Sequence, residues 1–444
     1  MKEGIKLSDH FDYRRLLRFA LPPVVMMIFT SVYGMVDGFF VSNFAGKTAL
    51  AAVNFIFPFV MILGTLGFMF GAGGSALIAK TLGEGNRARA NSLFSLFVYL
   101  PFLLGVLLAG LGMLVIRPVA AFLGAEGQML SDCVLYGRIL LASLPAFMLQ
   151  LEFHTVFVTA EKPQLGLAFT VGAGVTNIVL DALLVGLFGW GLVGAALATS
   201  LSQVVGGIGP LFYFFRKNTS ILRLGKTKLD IRAVGRAMWN GSSELMSNIS
   251  MSLVGMLYNA RLMAYAGEDG VAAYGVLMYV NFVFVSAFIG YTIGVSPVVG
   301  YHFGAGNSAE LKNLRKRSLV IVLTTSVLMV LSAILLAHPL SVVFVGYDEG
   351  LLAMTERGFL IYSCSYLFAG LAIFGSAFFT ALNNGLVSAV MSFLRTFVFQ
   401  VAAVMILPLL LDLDGIWLSI VVAELAAAAV TVLLLSLFRK RYGY

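Results

Sequence analysis

Long apolar runs, broken only by short polar segments, dominate this chain. The runs lie near residues 16–42, 49–80, 92–116, 130–159, 165–188, 191–215, 238–265, 271–302, 318–337, 355–381, 386–410 and 415–438. A helix that crosses a bilayer needs about 20 apolar residues, so the runs predict about twelve crossings. The chain of 444 residues is 60% hydrophobic and only 11% charged, too few charges to cover a water-facing surface. The sequence therefore predicts an all-α membrane protein and excludes soluble enzymes, disordered proteins and secreted disulfide scaffolds.

Lys and Arg are distributed unequally between the two sides of this predicted topology. Most of the 29 basic residues lie in segments that share one side, namely Lys2, Lys6, Arg14, Arg15 and Arg18, residues 80–89, Lys162, and residues 216–236, 312–317 and 439–441. Basic loops remain cytoplasmic. Both termini are therefore predicted in the cytoplasm, in a multi-pass protein of the cell inner (plasma) membrane. The net charge of +8 is then a topology signal, and no nucleic-acid partner is expected.

The second half of the chain repeats features of the first at an offset of 221 residues. The turn Gly83-x-Gly85-Asn86 follows the second run, and Gly304-x-Gly306-Asn307 follows the eighth in the same register. We predict an N-terminal lobe over 1–215, a cytoplasmic linker over 216–236 and a C-terminal lobe over 237–444. Each lobe is predicted as a six-helix bundle, and the two are related by a pseudo-twofold axis along the membrane normal. Repeat-built transporters place their substrate in the cleft between such bundles.

Two acidic residues lie deep in the apolar runs of the first half. Asp37 is one helical turn after Tyr33, and Asp181 is one turn after Asn177, so each pair shares a helix face. An ionisable residue inside the membrane is a functional candidate by default. Burial and a second nearby carboxylate favour a bound proton, and carboxylate and amide oxygens also suit a hard cation such as Na⁺. Fixed structural hydrogen bonds are the alternative.

The repeat indicates that this polar set occurs once. At the offset of 221 residues, Asp37 aligns with Tyr258 and Asn177 with Val398. A set that merely joined helices could be expected in both halves. We therefore expect a single coupling site, in the N-terminal lobe.

Four further ionisable residues within the runs are candidates for a proton relay or a substrate contact, namely Glu152, His154, Glu244 and Arg395. Residues two apart on a helix face about 200° apart, so Glu152 and His154 cannot both point into one cleft. We favour a hydrogen-bonded histidine for His154, a helix-capping role for Glu244, and an ion pair with Glu424 for Arg395.

No sequence motif indicates catalysis or a cofactor. Gly189-x-Gly191-x-x-Gly194 matches a dinucleotide-binding pattern, but it lies between two predicted spans without the strand and helix that such a site requires. The chain is therefore predicted not to be an enzyme and to need no cofactor. Cys133 and Cys364 each stand inside an apolar run and are expected as small core residues.

Three segments give the chain a family resemblance. Val36-Asp37-Gly38-Phe39-Phe40-Val41, the spacing of Gly46 to Ala51-Ala52, and the Gly83-x-Gly85-Asn86 turn resemble the first two helices of multidrug and toxic compound extrusion (MATE) transporters. The resemblance extends over nearly the whole chain. It is strongest to the bacterial and archaeal branch whose acidic residues lie in the N-terminal lobe.

The resemblance implies a cation-coupling site. The branch uses an Asp in the first helix, an Asn and an Asp one turn apart in the fifth, a Thr in the sixth, and nearby tyrosines. In this chain they correspond to Asp37, Asn177, Asp181, Thr199, Tyr33 and Tyr136. The first four are also the ligands of any Na⁺ bound there, and no other metal site is expected. The acidic pair that another branch carries in its seventh and tenth helices has no clear counterpart, since Glu244 is early in its run and no carboxylate follows Glu356 in the tenth.

The family's activity implies secondary active multidrug efflux by alternating access. Organic cations or other amphiphilic compounds would leave the cell in exchange for inward H⁺ or Na⁺. The expected partners are such small molecules and the lipid bilayer, and the protein is expected to act as a monomer. A flippase for lipids or lipid-linked precursors, from the related superfamily, is the main alternative, and a channel is a third.

Overall fold

A computed structural model describes residues 5–444, and Lys2 lies outside the described residues. Within that range the chain is helical, with no β-strand. The α-helices are α1 Tyr13–Phe40, α2 Lys47–Gly83, α3 Arg87–Phe122, α4 Gly127–Ala142, α5 Leu144–Thr159, α6 Pro163–Leu180, α7 Gly191–Gly207, α8 Gly209–Phe215, α9 Ile231–Gly304, α10 Ser308–Val345, α11 Glu349–Ser363, α12 Tyr366–Ala381, α13 Gly385–Phe393, α14 Phe399–Ile406, α15 Pro408–Leu437 and α16 Arg439–Tyr442. Three π-helical segments, Val41–Ala45, Asp181–Leu187 and Leu394–Val398, continue α1, α6 and α13.

The structure has many membrane-spanning helices, as predicted, but their number depends on how bent helices are counted. In residues 5–444, nine helices are long and apolar enough to cross a bilayer, or eleven if each of two bent helix pairs is one span. The longest, α9, has 74 residues and a non-helical backbone at Gly267 (φ 63°, ψ −150°). The predicted twelve spans result only if the two arms of α9 are counted separately.

The two bent pairs occupy corresponding places in the halves. α4 and α5 meet at 59° across Ser143, and α11 and α12 meet at 48° across Cys364 and Ser365. Cys133 is buried as expected, but the core position expected for Cys364 is wrong because its side chain is exposed at the second bend.

The repeated Gly-x-Gly-Asn motif forms the same turn twice. Gly85 (φ 82°) and Gly306 (φ 66°) have left-handed backbones, which favour glycine. Each asparagine then caps the next helix, since Asn86 Oδ1 accepts from Arg89 N at 3.0 Å and Asn307 Oδ1 accepts from Glu310 N at 3.1 Å. The motif therefore repeats because the same chain reversal is built in both halves.

Glycines of the two halves also pack against each other symmetrically. A Cβ atom added to Gly83 would overlap the carbonyl oxygen of Tyr301, and one added to Gly304 would overlap that of Lys80. Both residues of the second contact are offset by 221 from those of the first. The pairs Gly73–Gly241 and Gly294–Ala20 have the same relation. A pseudo-twofold axis therefore passes between the halves.

Both chain ends lie at one end of the bundle, which we call the terminal face. Asn313 near the start of α10 donates to the Phe11 carbonyl oxygen at 2.9 Å, and the Arg315 guanidinium lies 5.2 Å from the centre of the Tyr444 ring. The bundle end that carries the loop at 123–126 is the opposite face.

The hydrophobic core is continuous near the terminal face and divided elsewhere. One cluster unites both halves, from Leu7 and Phe11 to Phe379 and Tyr444. A second cluster lies within the N-terminal half around Tyr136, and a third within the C-terminal half around Trp417. The two halves therefore join near the terminal face, and each has its own core toward the opposite face.

Candidate functional site

Asp37 and Asp181 each lie close to the start of a π-helical segment, Asp37 about one turn before Val41 and Asp181 as the first residue of Asp181–Leu187. The Val41 amide donates to the carbonyl oxygens of both Asp37 and Gly38, and the Asp181 amide donates to those of both Asn177 and Ile178. These shared bonds reach back four and three residues, as in α- and 3₁₀-helices, and the π-helical hydrogen bonds begin after them. Single π-helical turns are frequent at functional sites. The two acids therefore lie near π-helical segments on neighbouring helices.

Small side chains bring these helices close together. A Cβ atom added to Gly174 of α6 would lie 2.9 Å from the Tyr33 ring of α1, so only glycine permits this approach. The π-helical segments pack through Val41 and Val185, together with Ala195 of α7. This packing fixes the position of Asp37 relative to Asp181.

The polar groups of the site form an incompletely bonded cluster. Thr199 Oγ1 donates to Asp37 Oδ1 at 3.4 Å, and Asp37 also interacts with Asp181 and Asn177. Asp181 is fully buried, yet within residues 5–444 neither of its carboxylate oxygens has a hydrogen-bond partner. The same is true of the Asn177 Oδ1 atom. The cluster therefore presents acceptor oxygens without matching donors.

Two tyrosines complete the predicted set. Tyr136 of α4 is buried and lies within interaction range of Thr199 and both acids. Tyr33 interacts with Asp37 and with Gln150 of α5. All six residues implied by the resemblance thus lie together in the N-terminal half. Our sequence reasoning missed Gln150, a buried amide inside an apolar run, because neutral residues were considered only one turn from an acid or where the resemblance implied them.

The arrangement suits a small cation. An unpaired buried carboxylate such as that of Asp181 is strongly disfavoured, and the charge of Asp37 close by adds a repulsion between the two carboxylates. A proton on one of them, or a hard cation between the carboxylate, amide and hydroxyl oxygens, removes both penalties. No group of three or more His, Cys, Asp or Glu side chains in the described range is arranged to hold a metal ion.

Glu152 and His154 lie outside this cluster, on α5. Both side chains are buried, and none of their polar side-chain atoms has a partner in the described part of the chain. Glu152 packs with its backbone against Gly71 of α2. The expectation of a hydrogen-bonded histidine at His154 is therefore wrong, since neither ring nitrogen reaches a donor or acceptor among the described residues.

Glu244 is not a helix cap. Helix α9 begins at Ile231, where the Asp230 side chain accepts from Ala233 N at 3.0 Å, so Glu244 lies more than three turns inside the helix. The capping role expected for it is wrong because the helix starts earlier than the apolar run does. Its side chain is half-buried.

Arg395 forms the expected pair with Glu424. Its Nε atom lies 3.0 Å from Glu424 Oε1 and 2.9 Å from Oε2, and Arg395 belongs to the third π-helical segment. Nearby, Tyr258, the repeat counterpart of Asp37, donates to Gln400 Oε1 at 2.8 Å. These polar side chains of the C-terminal half are thus paired with each other, whereas the cluster in the N-terminal half has acceptor oxygens without a hydrogen-bond partner among the described residues.

Two joined helical lobes with a buried, incompletely bonded acidic cluster in one of them define a polytopic membrane transporter. The MatE family profile matches residues 22–183 and 245–406, once in each half. The chain belongs to the MatE family, whose members are transporters and not enzymes.

The relatives of this chain include staphylococcal export proteins. The multidrug export protein MepA of Staphylococcus saprophyticus is 24% identical over 439 residues, which cover 97% of this chain and 94% of MepA. MepA of Staphylococcus aureus strain MRSA252 is 23% identical over 435 residues, with the same coverage of each chain.

Solved MATE structures share the fold over the full length. A MATE transporter crystallised in complex with MaL6 has a TM-score of 0.94 and 23% identity, covering 100% of this chain and 99% of that one. An outward-facing multidrug resistance MATE transporter of the MOP superfamily has a TM-score of 0.93, 23% identity and the same coverage.

Proposed function

We propose that this protein exports amphiphilic, commonly cationic organic compounds in exchange for inward H⁺ or Na⁺, acting as a monomer. Its relatives MepA are multidrug export proteins. The coupling site comprises Asp37 and Asp181, supported by Asn177, Thr199, Tyr33 and Tyr136. The observation that carries the proposal is the fully buried Asp181 carboxylate, unpartnered within residues 5–444, beside a second acid, Asp37, on the neighbouring helix α1.

The coupling follows from the electrostatics of the cluster. With a cation bound, the cluster is neutral enough to be enclosed by apolar helices. Without it, two carboxylates must regain solvent or another cation. A conformational change that exposes the cluster to alternate sides therefore requires the cation to enter and leave. One charge moving down about 100 mV releases about 2.3 kcal/mol, enough to concentrate a neutral compound roughly 50-fold.

The orientation of the lobes supports export. Basic residues concentrate at the terminal face, which the positive-inside rule assigns to the cytoplasm of a cell with this protein in its plasma membrane. The lobes are residues 1–215 and 237–444. The linker at 216–236 docks on the first lobe, since Asn91 Oδ1 accepts from Arg223 N at 2.9 Å and Thr227 Oγ1 donates to the Ser92 carbonyl oxygen at 2.8 Å. The lobes share a core near the terminal face and have separate cores toward the opposite face, so the cleft that we propose between them opens to the outside.

A flippase for lipid-linked precursors needs cationic side chains in the central cleft between the lobes that are free to bind an anionic headgroup. Arg395, the one basic residue placed deep in a predicted span, is held by Glu424. The geometry therefore favours the antiporter.

Efflux from vesicles tests the proposal. We expect a pH gradient or a Na⁺ gradient, applied separately, to drive efflux of a fluorescent cationic dye by the wild type. Asp37→Asn and Asp181→Asn should each abolish the gradient-driven component, because the neutral amide binds neither ion in exchange.

The matched control is Asp132→Asn, which removes a carboxylate of the same lobe that contacts Gln128 Nε2 at 2.8 Å and not the cluster. It should keep wild-type efflux. Folding is checked by size-exclusion profile and thermal midpoint. Gradient-driven efflux by folded Asp37→Asn and Asp181→Asn variants at the wild-type rate would overturn the coupling role.

A further inference from the structure

A groove on the perimeter of the N-terminal half contains two arginines. It lies between α3 and α4, has a volume of about 250 Å³, and is lined by Arg117, Leu130, Ser131, Val134, Leu135 and Arg138. The proposed coupling site uses neither arginine, and α4 separates the groove from that site.

Neither arginine is neutralised by the protein. No ion pair within residues 5–444 includes Arg117 or Arg138, and both side chains are exposed. Asp132, the acidic residue next to the groove on α4, accepts from Gln128 Nε2 at 2.8 Å. Two guanidinium groups that line one groove repel each other, so the groove favours an anion.

The surroundings of the groove face lipid. Arg117 lies five residues before the end of α3, and Arg138 lies eleven residues after the start of α4. Exposed apolar side chains flank them, including Leu114 at 77% and Phe122 at 90% exposure. Long arginine side chains on such a surface extend their heads toward the headgroup level. The anion is therefore one that belongs to the bilayer.

We propose that this groove binds an anionic phospholipid of the leaflet at the opposite face. Its phosphate oxygens accept from both guanidinium groups, whose planar donors match a phosphate. One acyl chain lies along Leu130, Val134 and Leu135. A zwitterionic lipid is disfavoured because its ammonium group would lie beside two cations.

The lipid would contact the helix that carries Tyr136. Arg138 is two residues after Tyr136, so the two side chains leave α4 about 200° apart. Tyr136 faces the acidic cluster, while Arg138 faces the groove. An effect of the lipid on ion coupling would rest on the proposed function. The binding of the lipid to the groove does not rest on it.

Lipid retention by the purified full-length protein tests the site. We compare the wild type with the double variant Arg117→Gln, Arg138→Gln by native mass spectrometry and thermal midpoint, after adding phosphatidylglycerol or phosphatidylcholine. The wild type should retain phosphatidylglycerol selectively and be stabilised by it. Loss of the charged hydrogen bonds should weaken this binding roughly 10- to 100-fold in the double variant.

Two controls make the result specific. Arg232→Gln with Arg236→Gln removes the same charge from exposed positions at the terminal face and should keep the selective retention. Arg117→Lys with Arg138→Lys should retain part of it and guards against misfolding of the Gln variant. Equal phosphatidylglycerol binding by wild type and the Gln variant overturns the proposal, as does an equal loss in the control pair. Stabilisation by inorganic phosphate equal to that by phosphatidylglycerol overturns the assignment to a lipid.

Discussion

The two halves differ in whether a buried carboxylate has a hydrogen-bond partner. In the N-terminal half the Asp181 carboxylate has no hydrogen-bond partner within the described residues, whereas Glu424 in the C-terminal half is bound by Arg395 Nε. A paired carboxylate has no need of an added cation, but an unpaired one does. This difference supports a mobile ion in the first half and a fixed polar contact in the second.

The Arg395–Glu424 pair should be structural. Removing one partner leaves a buried charge, so Arg395→Met and Glu424→Gln should each destabilise the protein by about 3–5 kcal/mol. The double variant should recover most of that loss. Thermal and denaturant unfolding in lipid nanodiscs measure the three variants, and dye efflux by the stable double variant measures function. Loss of efflux from a well-folded double variant would instead show that the pair contacts substrate.

Sequence reasoning located the two acids of the site and the partners one helical turn away on the same helices, Tyr33 and Asn177, but not the polar side chains that other helices bring in. Asp37 and Asp181 were recognisable because ionisable groups are rare in membrane helices. Gln150 and Gln400 are also polar groups inside apolar runs, yet neutral amides carry a weaker signal. The roles expected for His154 and Glu244 depended on neighbours and helix starts, which apolar periodicity does not define.

At the scale of elements, most helices begin and end close to the predicted runs, since Gly and Asn turns mark the reversals. The π-helical segments were not predictable, because they depend on how α1, α6 and α13 pack. In the sequence, Gly83 and Gly304 were recognisable only as repeated positions. The physical cause of this repetition, close backbone contact between the halves, needs the three-dimensional arrangement.

Adding a methyl group at this contact should open the terminal face. In Gly83→Ala or Gly304→Ala the new Cβ atom would overlap a backbone carbonyl, which no rotamer change relieves. Overpacking of this kind destabilises a packed state by roughly 1–3 kcal/mol. Here it destabilises only the state in which the terminal face is closed. Spin labels at Arg89 and Lys312, in a background without Cys133 and Cys364, should show a larger share of long distances in each alanine variant than in the parent. Efflux by each alanine variant should be slower.

Gly110→Ala is the matched control, because a Cβ atom there has nothing within 4 Å. It should leave both the distance distribution and efflux unchanged. An unaltered distribution in Gly83→Ala and Gly304→Ala would show that the contact does not limit opening.

The segment before α1 ties both halves together at the terminal face. Leu7 N donates to Glu161 Oε1 at 2.7 Å in the first half, and Phe11 N donates to Glu310 Oε1 at 2.9 Å in the second. The Leu7 and Phe11 side chains are fully buried. This segment must detach from one half when the terminal face opens.

Protonation of Glu161 should strengthen this attachment. Burial raises the pKa of Glu161, with Asp9 adding to the effect, although the hydrogen bond from Leu7 opposes it. A raised pKa in the folded state means that stability is fully present below the ordinary glutamate value and falls as pH rises through the raised value. The thermal midpoint of the wild type relative to Glu161→Gln should therefore fall as the pH rises from about 4 to about 7. A difference that is constant or increases with pH would contradict this sign.

At the scale of the molecule, the repeat, the shared core and the offset glycine contacts describe two similar bodies joined near one face. Such bodies exchange access by rocking about their common contact, since packed helices move as units. Opening the terminal face must then bring the lobes together at the opposite face.

Two label pairs test this reciprocity. Phe122 and Tyr347 are 90% and 83% exposed, one in each lobe toward the opposite face, and Arg89 and Lys312 report on the terminal face. Changing the pH or the Na⁺ concentration across the range that drives efflux should shorten the Phe122–Tyr347 distance in some of the molecules. The Arg89–Lys312 distance should lengthen in the same fraction of molecules. A pair within one lobe, Phe122 and Phe188, should stay constant if the lobe is rigid. Distances that lengthen together at both faces would indicate separation of the lobes, which leaves an open pore and is incompatible with exchange by rocking.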